Sequence, residues 1–418
     1  MNGKVLVYIA TVLAPFLLII NQGFGSQREP ILFFGIELNQ FLNWLVILFF
    51  IIVCRNTFKH SYMFLVFCIA LIFSKVFNIL FPESVLFYGF YKFFLLSITF
   101  VGGFIYMNKH FNLIHKQVLF IAFINVIMMI LQLSNVGEWT QFLSTESTEL
   151  FGEKLMYDTL FVPLEQLNYS VIQARPSGFL RSNNILSGFA IFALAIQLSR
   201  TKDQSIFSTS ILTLMMVLSS ARLVYISYLF MFIILIFSGN RFLIKKAMVS
   251  FISMIFWIFL YSIFFPGLFD NFWNFDSLTY NLYIRINDII ANIQLSFIQD
   301  IFSDLFYFTP QADWDFGVNK GLDGVLSTFS IFIKYLEYFI LISLLLIIIL
   351  YRSRKKFLKL KPEFKYISLF CIINLVLFAA AVIIILDQFY WFTAGFALCS
   401  LFYYLPNSYL NRLNIYKN

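Results

Sequence analysis

The chain has 418 residues, of which 61% are hydrophobic and 12% charged, and Phe alone fills 57 positions. Soluble globular proteins carry about a quarter charged residues, and no water-facing surface hides so much apolar bulk, so a soluble enzyme is excluded. The net charge of +8 gives no basis for expecting a nucleic-acid partner, because the cations fall in short clusters between apolar runs.

Apolar runs long enough for a hydrocarbon core of about 30 Å recur along the whole length. They predict an all-α integral membrane protein with twelve transmembrane helices, forming a single polytopic domain over 1–418. Expected limits are 4–20, 38–54, 62–81, 86–107, 117–134, 184–199, 205–220, 223–238, 247–268, 331–351, 366–386 and 388–404. The first run follows Lys4 as a signal peptide would, but no small-x-small cleavage site follows it, so it reads as the first span. Cys54, Cys68, Cys371 and Cys399 all fall in or at the ends of apolar runs, which predicts packing or lipid-facing roles and no disulfide framework.

With the N-terminus in the cytoplasm, the inner connections hold 19 Lys and Arg residues and the outer ones 8. The positive-inside bias therefore predicts cytoplasmic termini. Two exterior loops, about 135–183 and 269–330, are far longer than the other connections. Loops of that length either carry function or are disordered, and these are rich in aromatic and aliphatic residues instead of low-complexity, which points to function. Within the second, Asn281, Arg285, Asp288, Asn292, Ser296, Gln299 and Ser303 recur at steps of three and four opposite an aliphatic stripe. That spacing predicts an amphipathic interfacial helix over about 278–305.

Chemistry is expected on the exterior face. Arg175 and Arg181 bracket a Pro-Ser-Gly turn before Asn183-Asn184, Arg222 ends the tight turn Ser219-Ser220-Ala221-Arg222, and Arg285 projects from the polar stripe. A guanidinium is permanently charged and offers a donor fork matched to phosphate oxygens, so the set predicts diphosphate binding. Taken singly, each arginine is better suited to interfacial snorkelling or contact with lipid headgroups, and it is as a set that the functional reading gains. Lys75 and Lys92 each lie six residues inside the outer end of a span, about 9 Å deep. At that depth a charge faces a cavity or snorkels outward. Most exterior carboxylates are ordinary solvated loop charges, although one can act as a general base; Asp313-Trp314-Asp315 is a weak signal for a cation. All three histidines fall in cytoplasmic connections at spacings unsuited to metal, and no Gly-rich nucleotide loop is present, so no metal and no cofactor are expected.

The segment Arg175-Pro176-Ser177-Gly178-Phe179 with Asn183-Asn184, the turn Leu218-Ser219-Ser220-Ala221-Arg222 with Tyr225, and Gly321-Leu322-Asp323-Gly324 together resemble motifs of O-antigen polymerases (Wzy) and the related O-antigen ligases. The paired Arg-x10-Gly pattern of some members is absent, since Leu186 and Ser296 stand where the glycines would. Ligases carry a His near the Asp323 position and this chain has none there, which favours the polymerases.

The resemblance implies an inverting glycosyltransferase of the bacterial inner membrane, active in lipopolysaccharide or other polysaccharide biosynthesis. Donor and acceptor would both be undecaprenyl-diphosphate-linked oligosaccharides, with membrane lipids and a chain-length regulator as further partners. Arg175, Arg181, Arg222 and Arg285 would hold the diphosphate, with Lys75 and Lys92 adding positive charge, and Asp323 would orient or deprotonate the acceptor. The rival class is a flippase for lipid-linked oligosaccharides or another secondary transporter. Such proteins commonly show repeated halves and short loops on both faces, whereas here the halves do not match and the long loops crowd one side.

Overall fold

The computed structural model describes residues 3–21, 32–33, 36–57, 86–133, 147–150, 153–156, 178, 180, 183–200, 205–219, 221–264, 362–381 and 388–398. These residues are overwhelmingly helical. In chain order they form α1 (Gly3–Asn21), α2 (Leu38–Thr57), α3 (Leu86–Lys109), α4 (Phe111–Leu133), α5 (Asn183–Ser199), α6 (Ile206–Leu218), α7 (Arg222–Ile236), α8 (Arg241–Phe264), α9 (Pro362–Ala381) and α10 (Gln388–Leu398). Two short antiparallel ladders add to this helical frame. β1 (Leu32–Phe33) pairs with β2 (Ile36–Glu37), and β3 (Ser147–Leu150) pairs with β4 (Glu153–Met156) inside the first long loop. The expected spans at 62–81 and 331–351, the amphipathic helix at 278–305 and the rest of the second loop lie outside the described residues.

Three helical stretches, Lys4–Asn21, Phe111–Leu131 and Arg241–Phe264, are long and apolar enough to cross a membrane. At 1.5 Å per residue, the 24 residues of the last extend for about 36 Å. The placement of side chains agrees with lipid surroundings. On α8, Met248, Ile252, Ile255, Phe256, Phe259 and Ile263 point outward, while Lys246, Ser250 and Tyr261 face inward. On α4, Phe120, Phe123, Ile127 and Ile130 are exposed and His115 and Asn125 are buried. A helix in water shows the reverse polarity. These are the features of a membrane protein.

The chain divides into two compact units. The first comprises residues 1–53, 110–274 and 369–374, and the second 54–109, 275–368 and 375–418.

At the centre of the first unit stands α5, buried on every side from Ile185 to Ser199 and packed by α4, α6, α7 and α8. An all-round apolar sequence permits this; of its few polar groups, Ser199 donates to Ala195 O at 2.6 Å and Gln197 Oε1 meets His115 of α4 at 2.7 Å. Where helices meet without water, polar side chains join them. Asn21 of α1 donates to Asn43 of α2 at 2.7 Å, and Gln117 of α4 donates to the Val12 carbonyl of α1. Between α6 and α8, Thr213 and Ser253 bond at 2.9 Å, and Trp257 Nε1 donates to Ser210 O at 3.0 Å. α6 is opened by Ser205, whose hydroxyl accepts from Ser208 N–H. α7 and α8 form an antiparallel hairpin through Gly239, at φ 68°, and Asn240, whose side chain accepts from the Phe242 N–H at 3.0 Å. The Phe232 and Phe251 rings stack between the two helices at 4.9 Å.

In the second unit, α3 and α10 pack backbone to backbone. A Cβ built on Gly103 would overlap the Phe392 carbonyl oxygen, and one on Gly395 would overlap the carbonyl oxygen of Phe100. Tyr106, fully buried, lies against Phe392 with centroids 6.0 Å apart. Cys54 and Cys371 are buried free thiols, in keeping with the packing role expected of them.

Candidate functional site

The turn between α6 and α7 places the one arginine of the expected set whose side chain is described. α6 ends at Ser219, whose N–H bonds Met215 O and whose hydroxyl donates to Met216 O at 2.7 Å. The chain re-enters helix at once: Ala221 is the N-cap of α7, brings no side-chain acceptor to the first turn, and is followed by Arg222. Arg222 is half-buried. The first turn of a helix presents unpaired N–H groups and the positive end of the helix dipole, so an anion is favoured there. A guanidinium at that position adds full charge and up to two parallel donors for one phosphate. Because α7 and α8 run antiparallel through the Gly239 turn, Arg222 at the start of α7 lies toward the Tyr261 end of α8.

A second feature lies on the Arg175–Arg181 segment. Gly178 is buried in a left-handed turn at φ 62°, and a Cβ there would overlap the side-chain amide of Asn125, itself fully buried in the middle of α4. The neighbouring Leu180 is 2% exposed. The turn expected from Pro176 and Gly178 is therefore present at Gly178, and it is seated inside the unit. Asn125 was not among the expected site residues. Its signal was an isolated carboxamide within the apolar run 117–134, where a polar side chain commonly marks an interior contact.

Among the other expected site residues, Arg175, Arg181, Arg285, Asp323 and Lys75 lie outside the described residues. Lys92 stands six residues, about 9 Å, into α3, and its side chain is outside them also.

A third polar cluster occupies the opposite end of the first unit. Lys246 of α8 donates through Nζ to the carbonyls of Gln197, at 3.1 Å, and of Arg200, closing the C-terminal end of α5. His115 Nε2 meets Gln197 Oε1 at 2.7 Å, while Arg200 donates to Asn112 at 3.2 Å and lies over the Phe111 ring. His115 and Lys246 belong to helices, and both are buried. The expected spans placed these residues in connections, because an apolar run was ended at its first cation or histidine. The arrangement caps helix carbonyls with positive charge, which is structural work. Tyr261 lies fifteen residues, about 22 Å, beyond Lys246 along α8, so the Arg222 turn sits toward the far end.

Among the described residues no group of His, Cys, Asp or Glu is placed to hold a metal ion. Compared with protein-family models, with curated proteins and with solved structures, the chain matches none.

Proposed function

We propose that the chain is a polysaccharide polymerase of the bacterial inner (plasma) membrane, a multi-pass protein of about twelve spans with both termini in the cytoplasm. It transfers a glycan chain from undecaprenyl diphosphate to a second lipid-linked oligosaccharide at the outer face. The observation that carries this reading is Arg222, half-buried at an N-terminus of α7 to which Ala221 supplies no side-chain cap, in a unit whose outward helix faces are apolar. That is a setting for an anionic group attached to a lipid. The resemblance of the three exterior motifs to the polymerases supplies the rest.

In this reaction an acceptor sugar hydroxyl attacks the anomeric carbon of the donor glycan. The bond from that carbon to the diphosphate oxygen breaks, with inversion, and the hydroxyl proton passes to a base, the role assigned to Asp323. Negative charge develops on the departing undecaprenyl diphosphate. Fixed guanidinium groups of Arg222, Arg175 and Arg285, with Arg181 in support, stabilise it, as preorganised donors do wherever charge appears in a transition state.

The test is the glycan made in cells whose own copy of the gene is deleted. With Arg222→Ala or Arg285→Ala, long chains are expected to disappear while single capped units still reach the surface. Loss of the single units as well, at normal abundance of the variant in the membrane, makes the protein a transporter of lipid-linked oligosaccharide instead.

A further inference from the structure

The depth of the Gly178 turn is informative in its own right. α4 runs to Leu133, and Asn125 stands eight residues short of that end, about 12 Å down the helix. Gly178 touches Asn125 there, so this part of the loop is not above the bundle but beside the middle of a span-length helix. α5 fits the same geometry. It has 17 residues where α4 has 23, a difference of about 9 Å of helix, and it is buried from Ile185 onward. Non-helical backbone at that depth persists only where protein covers it or water reaches it. Here Gly178 and Leu180 are both covered.

The contact also explains why glycine stands at 178. Its φ of 62° is one that a residue with a Cβ adopts only under strain, and the space a Cβ would need is taken by Asn125 Oδ1, Cγ and Nδ2. Arg175 and Arg181 each stand three residues from Gly178 in the sequence.

We infer that Asn125 is a positioning residue, the seat that holds the arginine-flanked turn below the outer ends of the helices so that it meets a lipid-borne diphosphate at membrane depth. The inference rests on the diphosphate reading given above. It assigns Asn125 a role through Gly178 and no contact with the substrate.

The test uses the full-length protein in detergent and two probes, farnesyl diphosphate and farnesyl monophosphate. The wild type is expected to prefer the diphosphate by tenfold or more. Gly178→Ala is expected to lose about tenfold in diphosphate affinity and most of that preference, because the new methyl group drives the turn off Asn125. Asn125→Ala alone removes the seat and puts no methyl group against the turn, and it is likewise expected to lose about tenfold in diphosphate affinity and most of the preference. Thermal unfolding of each variant separates this effect from misfolding, since a smaller folded fraction lowers the number of sites and leaves the preference between the probes unchanged.

Wild-type affinity and preference in Asn125→Ala, or in Gly178→Ala, overturns the role of Asn125. Arg175→Ala and Arg222→Ala tell that result apart from failure of the underlying reading. If they abolish diphosphate binding while Gly178→Ala does not, only the positioning role falls. If the wild type shows no preference, or neither arginine variant changes it, the diphosphate reading falls and takes the positioning role with it.

Discussion

Lys246 donates to the carbonyl oxygen of Gln197 at 3.1 Å, from a side chain that is only 7% exposed. The ammonium closes α5 at a point where no later helical N–H can reach the last carbonyls. Lys246→Met keeps the length of the side chain and removes the donors, leaving the Gln197 and Arg200 carbonyls without this partner in an apolar setting. The expected loss is about 2–3 kcal/mol, read as a lowered unfolding midpoint of the purified protein in detergent. Lys246→Arg, which keeps both donors and charge, is expected to lose less than half as much. An unchanged midpoint in Lys246→Met would show that the cap contributes nothing.

The glycines at 103, 395 and 239 are expected to separate by cause. Gly103→Ala and Gly395→Ala each put a methyl group into the opposing backbone of α10 or α3, an overpacking that costs about 1–3 kcal/mol. Gly239→Ala meets nothing within 4 Å and bears only the strain of its positive φ, about 1–2 kcal/mol. Adding Phe392→Ala to Gly103→Ala should therefore give no relief, because the clash is with the carbonyl oxygen and not with the ring. Recovery in that double variant contradicts a backbone-to-backbone contact.

For Arg222 the informative exchange is to lysine. If the guanidinium grips a phosphate through two parallel donors, Arg222→Lys retains the charge but loses the fork, and chain elongation is expected to fall tenfold or more, close to Arg222→Ala. Product length on a denaturing gel measures this. Near-normal chains from the lysine variant would indicate that only a positive field is needed.

Asn21 and Asn43 offer a test of how α1 and α2 are joined. Asn43→Leu takes away the acceptor for Asn21 and strands a buried amide, whereas Asn21→Leu with Asn43→Leu leaves two apolar groups in contact. The single variant is expected to be less stable than the double one, with a coupling of about 0.6–2 kcal/mol between the sites. Equal stabilities would remove the bond from any account of helix association.

Much of the helical frame was legible from apolar runs, since burial in lipid and burial in protein both select the same side chains. The runs expected at 205–220 and 223–238 match α6 and α7 to within two residues at each end, and 184–199 matches α5 almost residue for residue. The starts of α4 and α8 were set about six residues too late, because His115 and Lys246 read as the ends of apolar runs. Hydropathy cannot distinguish a cation in solvent from one that caps a helix inside the protein. The β3–β4 ladder went unread, because Phe151-Gly152 between the two short segments is not one of the Asn-Gly, Asp-Gly or Gly-first pairs that mark a two-residue hairpin. Of the candidate site, the arginine turns were visible as sequence, and Gly178 was visible as a turn. Its partner Asn125 was not, because the two positions are brought together only by the return of the chain along α4.

The outward face of α8 carries a last implication, for handling and for tolerance of change. Ile252, Ile255, Phe256, Phe259 and Ile263 are each at least half exposed, and they form one continuous greasy strip. Stripped of amphiphile, such strips adhere to one another, so extraction without a detergent collar should yield precipitate instead of monomer. Drift among aliphatic and aromatic residues should pass unnoticed along this strip. A single aspartate near its middle would oppose insertion by about 2.5–3.5 kcal/mol, which makes this featureless flank one of the less forgiving surfaces of the molecule.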